Sequence, residues 1–131
     1  MKVRRFYRPG AAVVRPGDSL RDAARRMRER GVSCVPVMVD GKMLGMLTER
    51  DLVEAAANGV RPGMAQVRDY MSDEPVSATL DDDCAVAGMK MLTIGCRHLP
   101  VTDGDNLVGM ISARDVYLAS VRSGSEGVLV S

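Results

Sequence analysis

Gly95-Cys-Arg-His-Leu-Pro-Val-Thr-Asp-Gly-Asp-Asn-Leu-Val-Gly-Met-Ile-Ser-Ala-Arg-Asp115 occurs twice in this chain. The earlier copy is Gly31-Val-Ser-Cys-Val-Pro-Val-Met-Val-Asp-Gly-Lys-Met-Leu-Gly-Met-Leu-Thr-Glu-Arg-Asp51, and a shift of 64 residues lays one on the other without a gap. Gly31/Gly95, Pro36/Pro100, Val37/Val101, Gly45/Gly109, Met46/Met110, Arg50/Arg114 and Asp51/Asp115 are identical, and Thr48 faces Ser112. Self-similarity at a fixed period marks each half as one supersecondary unit. One such unit is too small to bury its apolar face alone, so the sequence predicts two halves closed on each other in one domain.

Outward from the repeat, turn chemistry and periodicity predict the elements. Residues 1–10 read as an irregular basic lead, and Ala11–Val14 as a short buried strand ended by Pro16-Gly17. Asp18 or Ser19 caps a helix in which Leu20, Ala23, Ala24 and Met27 form one apolar face. Arg21, Arg25, Arg26, Arg28 and Arg30 occupy the other face, and Gly31 closes the helix in the left-handed region. Cys34–Val39 and Met43–Leu47 read as strands joined by an Asp40-Gly41 hairpin turn. Thr48 caps a helix from Glu49 to about Ala57, with Leu52, Val53 and Ala56 on its apolar side. Motif one thus runs over about 10–58 in the order strand, helix, strand, strand, helix.

Residues 59–70 carry Gly and Pro breakers and read as the connector, and motif two covers about 71–121. It opens with a strand at Val76–Ala78, and Asp81, Asp82 and Asp83 stand at the start of its first helix, where negative charge suits the dipole. Cys84, Ala87, Gly88 and Met91 form that helix's apolar face, Gly95 caps it, and a last helix runs from Ala113 to about Ser120. The tail, 122–131, is Gly/Ser-rich, with a short strand expected at Val128–Val130.

A chain of 131 residues fits one compact domain. Its net charge of +1 supplies no whole-chain argument for nucleic acid or membrane. Aromatics are scarce, so Val, Leu, Ala and Met are expected in the core, the methionines as filler rather than a soft-metal site. Cys34, Cys84 and Cys96 have no metal-ligand spacing, and their odd number suits a reducing compartment. No apolar run reaches the ~20 residues of a membrane span. A cytoplasmic location is expected, with no leader and no metal.

Thr48 stands at a helix N-terminus, where unpaired N–H groups and the dipole favour an anion. Asp51, one turn later, can accept two hydrogen bonds from vicinal hydroxyls such as those of a ribose, and Gly45 permits close backbone approach. Phosphate at the helix end and ribose on the carboxylate is one reading. The other is that Thr48 and Ser112 are plain N-caps, with Asp51 and Asp115 as first-turn charges on exposed positions. The doubling in register favours the first.

The doubled Gly-x-x-x-apolar-Pro-Val … apolar-apolar-Gly-apolar-apolar-[Ser/Thr]-x-x-Asp pattern resembles a tandem cystathionine β-synthase (CBS) domain pair over roughly residues 10–121. The resemblance implies an α/β fold of two pseudosymmetric β-α-β-β-α motifs packed into one stand-alone module. It also implies clefts for adenosine compounds: AMP, ADP, ATP, S-adenosylmethionine or NAD. One site would join Thr48, Arg50 and Asp51 to Ser72, Val76, Ser77, Arg97 and His98. Phosphate would lie at Thr48, ribose at Asp51, adenine near Ser72 and Ser77, and cationic charge would come from Arg97 and His98. The mirror site would join Ser112, Arg114 and Asp115 to Arg8, Val13, Ser33 and Cys34. It departs from the pattern, since Arg8 replaces Ser72 and Ser33-Cys34 replaces Arg97-His98. Two unequal sites are expected, the second empty or holding a less phosphorylated ligand.

His98, alone on its strand, reads equally as a packed residue, and a zinc site from Cys34, Cys96 and His98 gains no support from spacing. With no P-loop, Cys–His motif or placed carboxylate pair, an enzyme finds no footing. The expected function is a non-catalytic adenine-nucleotide sensor that signals to a partner protein and pairs as a homodimer through Leu52, Val53, Val116 and Leu118. The alternative is a nucleic-acid-binding stress-response protein using the Arg-rich helix and N-terminal tail; the balancing acids weaken it.

Overall fold

The computed structural model describes residues 1–130 of the chain, with side chains described through Ser123. The chain divides into an early unit, Ala11–Val76, and a late unit that joins Met1–Gly10 to the residues from Ser77 onward.

In the early unit, α1 (Leu20–Arg30) starts where the Ser19 hydroxyl accepts the Asp22 N–H and ends at Gly31 with φ of 65°. The hairpin β2 (Cys34–Val39) and β3 (Lys42–Thr48) follows, its turn made by Asp40 and Gly41 at φ of 50° and 77°. Both positive φ values fit a primed turn, whose twist matches the flanking strands. Then comes α2 (Glu49–Ala57). The strand expected at Ala11–Val14 contracts to one parallel bridge between Val14 and Val37. The supposed connector is packed structure. Val67–Asp69 forms a 3-10 turn, the Val67 N–H donates to the Asp18 carbonyl, and Val67 is fully buried.

The late unit repeats this plan with longer flanking pairings. β1 (Arg8–Pro9), β6 (Asn106–Ser112), β5 (His98–Asp103) and β4 (Ala78–Thr79) form one sheet in that order, β4 parallel to β5 and the rest antiparallel. α3 (Cys84–Ile94) is capped by Asp83 and ended by Gly95 at φ of 68°, and α4 (Ala113–Val130) follows β6. The basic lead is therefore ordered. Val3–Arg5 forms a 3-10 turn, Val3 and Arg4 N–H groups donate to the Asp82 and Leu80 carbonyls, and Arg4 meets Asp81 at 2.7 Å. The expected end of the last helix near Ser120 and the strand at Val128–Val130 are corrected too. α4 runs on, since Ser and Gly cost a helix about 1 kcal/mol or less each and no proline stops it.

Nine positions show why both halves fold alike. Val14, Leu20, Ala23, Met27, Val35, Val37, Leu47, Ala55 and Val67 form the early core. Their counterparts at the 64-residue offset, Ala78, Cys84, Ala87, Met91, Leu99, Val101, Ile111, Ala119 and Val3, are all buried as well. The repeat thus begins at Val3/Val67, ahead of the boundary near residue 10 that turn residues suggest. On α2 the inward side is Ala55 with half-buried Leu52, while Val53 is 66% exposed and Ala56 is exposed. The cap fixes the helix start at Glu49, and that phase turns Val53 and Ala56 outward.

Candidate functional site

The two repeated corners are built by the same local physics. In the early unit the Thr48 hydroxyl accepts the Asp51 N–H at 3.3 Å, and Asp51 Oδ2 accepts the Thr48 N–H at 2.8 Å. In the late unit Ser112 Oγ accepts the Asp115 N–H at 3.1 Å, and Asp115 Oδ2 accepts the Ser112 N–H at 2.9 Å. Both are reciprocal capping boxes that satisfy two orphan donors of a helix start. Each aspartate thereby commits Oδ2 to its own backbone. Oδ1 is the oxygen that the cap does not use, which narrows the two-acceptor ribose grip read from sequence.

Gly45 and Gly109 serve the protein rather than a ligand. A Cβ on Gly45 would lie 2.1 Å from the Ser72 carbonyl oxygen, and one on Gly109 would lie 2.1 Å from the Arg8 carbonyl oxygen. The backbone of Ser72 exchanges two hydrogen bonds with Met46, at 3.1 and 2.9 Å, while Arg8 pairs with Met110 in the β1–β6 ladder. Ser72 and Arg8 are thus structural equivalents at the edge of each corner.

Their side chains part ways. Ser72 Oγ turns to its own loop and accepts the Glu74 N–H at 3.3 Å. Arg8 Nε lies 3.9 Å from Asp115 Oδ1. Asp115 is buried, at 5% exposure, which corrects the expectation of an exposed first-turn carboxylate. Asp51 is half-buried, and among the described residues of its own unit no side chain forms an ion pair with it. Burial holds its carboxyl above the ordinary carboxylate value, against the lowering pull of the Thr48 N–H and hydroxyl; nearby Glu54 adds to the rise and Arg50 slightly opposes it.

The remaining expected site residues divide between the units. Val76 lies in the early unit, its N–H 3.1 Å from Met46 Sδ, beside Ser72 in sequence and near β3 in space. Arg50 is exposed on the first turn of α2. Ser33 and Cys34 are buried, the Ser33 carbonyl accepts the Glu49 N–H, and Cys34 is paired in register with Thr48; Val13 is exposed. In the late unit the Ser77 carbonyl accepts Lys90 Nζ at 2.8 Å. His98 is paired in register with Ser112, the Arg97 carbonyl accepts the Ala113 N–H at 2.8 Å, and Arg114 is exposed on the first turn of α4. The sequence reading placed Arg8 and Asp115 in one mirror site but did not pair them; the signal was an arginine in the place of Ser72 at the 64-residue offset, opposite a carboxylate.

The arginines of α1 are partly engaged. Arg26 donates to the Val13 carbonyl and pairs with Asp18 at 3.2 Å, Arg25 stands 3.9 Å from Asp22, and the Arg21 guanidinium lies against Gly63. Among the described residues no group of three His, Cys, Asp or Glu could hold a metal ion, and no helix is long and apolar enough to cross a membrane.

These features meet what comparison finds. The CBS domain profile matches residues 3–58 and 67–122, so the chain belongs to the CBS domain family and carries two such domains. It is 32% identical over 116 residues to the CBS domain-containing protein YhcV of Bacillus subtilis, covering 88% of this chain and 83% of YhcV. It is also 33% identical over 106 residues to an inosine-5'-monophosphate dehydrogenase of Korarchaeum cryptofilum, but there it spans 80% of this chain and 21% of the enzyme. Among solved structures, the CBS-domain containing protein ATU1752 from Agrobacterium tumefaciens matches with a TM-score of 0.81 and 28% identity, over 92% of this chain and 99% of that one. CBSX2 in complex with AMP matches with a TM-score of 0.75 and 25% identity, over 94% and 98%.

Proposed function

We propose that this chain is a non-catalytic regulatory module of the cytoplasm that binds an adenosine-containing ligand and reports its occupancy to a partner protein. The observation that carries the reading is Asp51. It is a half-buried carboxylate with one oxygen fixed by Thr48, the other not used by the cap, and burial opposing its charge. The cap uses only one of its oxygens, and a carboxylate whose charge burial opposes at a helix start is a candidate functional position. A ribose hydroxyl would donate to the other, Oδ1. CBSX2, a structural relative, is known in complex with AMP, which supports the same class of ligand here.

In this reading Thr48 and exposed Arg50 face the phosphate, Asp51 the ribose, and Ser72 and Val76 the adenine. Ser77, Arg97 and His98 enter through the motif resemblance and are tested by their own substitutions. Signalling follows from differential affinity: the ligand shifts the module between states by no more than the difference in its binding to them. Self-association belongs to the same proposal, with exposed Val53 on α2 and exposed Leu118 on α4 as apolar contacts for a second copy. A light-scattering mass near the 14.1 kDa of one chain would overturn that part.

The test is a thermal-shift panel of AMP, ADP, ATP, S-adenosylmethionine and NAD, followed by calorimetry. A ligand at 100 times its Kd adds about 2.7 kcal/mol. No shift from any compound, or a shift unaffected by Asp51→Ala, would refute the reading. The nucleic-acid alternative draws less support, since Arg21, Arg25 and Arg26 are turned to partners within the fold. Its hallmark, a linear fall of log affinity with log salt, would show in the same titrations.

A further inference from the structure

We infer that Arg8 is the specificity-determining residue of the late corner, closing Asp115 to the ribose that Asp51 accepts; the inference rests on the adenosine reading above. The two corners are equal in backbone and in their capping boxes. Each uses a glycine to admit the backbone of the equivalent edge residue at the same distance. Each aspartate spends Oδ2 on its N-cap N–H. What differs is the fate of Oδ1. In the early corner Ser72 keeps its hydroxyl on Glu74 and brings no cation to Asp51 from the edge position. In the late corner Arg8 sets its Nε 3.9 Å from Asp115 Oδ1.

Arg8 is 76% exposed at its side chain and Asp115 only 7%. A pair with so wet a partner adds little to stability. Its consequence is local: a neutral diol that would donate to Oδ1 must displace a guanidinium that follows the chain into the corner. The loss is of order one charge-assisted hydrogen bond, enough to separate the affinities of the two corners at least tenfold. The swap also has a direction. A short hydroxyl at this edge leaves the carboxylate to the ligand, and an arginine there supplies the carboxylate's partner from the protein itself.

The experiment exchanges the edge residues in the whole chain. AMP is titrated by calorimetry into wild type, Arg8→Ser, Ser72→Arg and the double variant Arg8→Ser/Asp115→Asn, with thermal melts confirming that each is folded. Both edge side chains are exposed, and their ladder contacts are made by backbone, so the exchanges are tolerated. Wild type is expected to bind one tight equivalent per chain. Arg8→Ser gains a second, Asp115→Asn in that background removes it, and Ser72→Arg weakens the first at least tenfold. Unchanged stoichiometry in Arg8→Ser, or unchanged affinity in Ser72→Arg, overturns the inference while leaving the adenosine reading in place. No binding by wild type overturns both.

Discussion

Replacing Gly45 by alanine puts the close backbone approach to a quantitative test. The new Cβ would sit 2.1 Å from the Ser72 carbonyl oxygen and 3.2 Å from its carbon, both backbone atoms, so no side chain can swing away. Relief requires moving the 71–72 segment off β3. That would cost the two Met46–Ser72 hydrogen bonds, each with a net contribution of about 0.5–1.5 kcal/mol. Overpacking strain adds about 1–3 kcal/mol. The sum is about 2–6 kcal/mol, centred near 4, and for a chain of this length each kcal/mol lowers Tm by about 4 °C. Gly41→Ala is the control. No atom lies within 4 Å of its Cβ, and its φ of 77° exacts only left-handed strain of about 1–2 kcal/mol. Calorimetric melts should rank Gly45→Ala well below Gly41→Ala, with AMP affinity lost alongside because Ser72 leaves the corner. A Gly45→Ala protein melting at or above the Gly41→Ala control would refute the steric argument.

Asp51→Asn should keep the fold and lose the ligand. The amide can still accept the Thr48 N–H, while the burial that raises the aspartate above its ordinary value no longer opposes a charge. Because the folded value lies above the unfolded one, the wild type loses stability as pH rises through that window. The variant should therefore equal or exceed wild type in melts at pH 7, with the gap narrowing below about pH 4; the reverse trend would count against it. Burial likewise pushes the Cys84 thiol up, and Cys34 and Cys96 are buried too. Native protein should resist iodoacetamide that labels all three in denaturant, and rapid labelling of Cys84 in the folded state would contradict its placement.

Much of this fold is legible because its determinants are short-range. The Gly31 and Gly95 caps, the Asp40-Gly41 turn and the Thr48 cap each depend on a few neighbouring residues, and all stand where the sequence places them. What escaped reading depends on partners far along the chain. Arg8–Pro9 is a strand only because residues 109–110 lie beside it, and nothing in Arg-Pro itself signals extension into a ladder. Val67 looks like linker until the Asp18 carbonyl takes its N–H. The site divides the same way. Thr48 with Asp51 is readable from an i, i+3 spacing, whereas the contact of Arg8 with Asp115 spans almost the whole chain.

Comparison of the two halves bears on whether the boxes on α2 and α4 are more than caps. Where capping alone is required, the halves drift: Ser19 opens α1 and Asp83 opens α3, with Asp22 and Val86 three residues on. On α2 and α4 a hydroxyl, an arginine and an aspartate hold their places in both copies, at Thr48/Ser112, Arg50/Arg114 and Asp51/Asp115. The arginine is the telling member. A cation in the first turn opposes the positive end of the helix dipole, at a cost of about 0.3–1 kcal/mol. Both arginines are exposed, so packing does not explain their retention. An anion delivered to the helix start, as in the proposed function, would. Arg50→Glu is therefore expected to raise Tm by about 1–4 °C in the absence of ligand and to weaken AMP binding at least tenfold by calorimetry. A variant that binds AMP as wild type does would return the box to a purely structural role. One that loses both stability and binding would mean that Arg50 holds the corner together rather than meeting a phosphate.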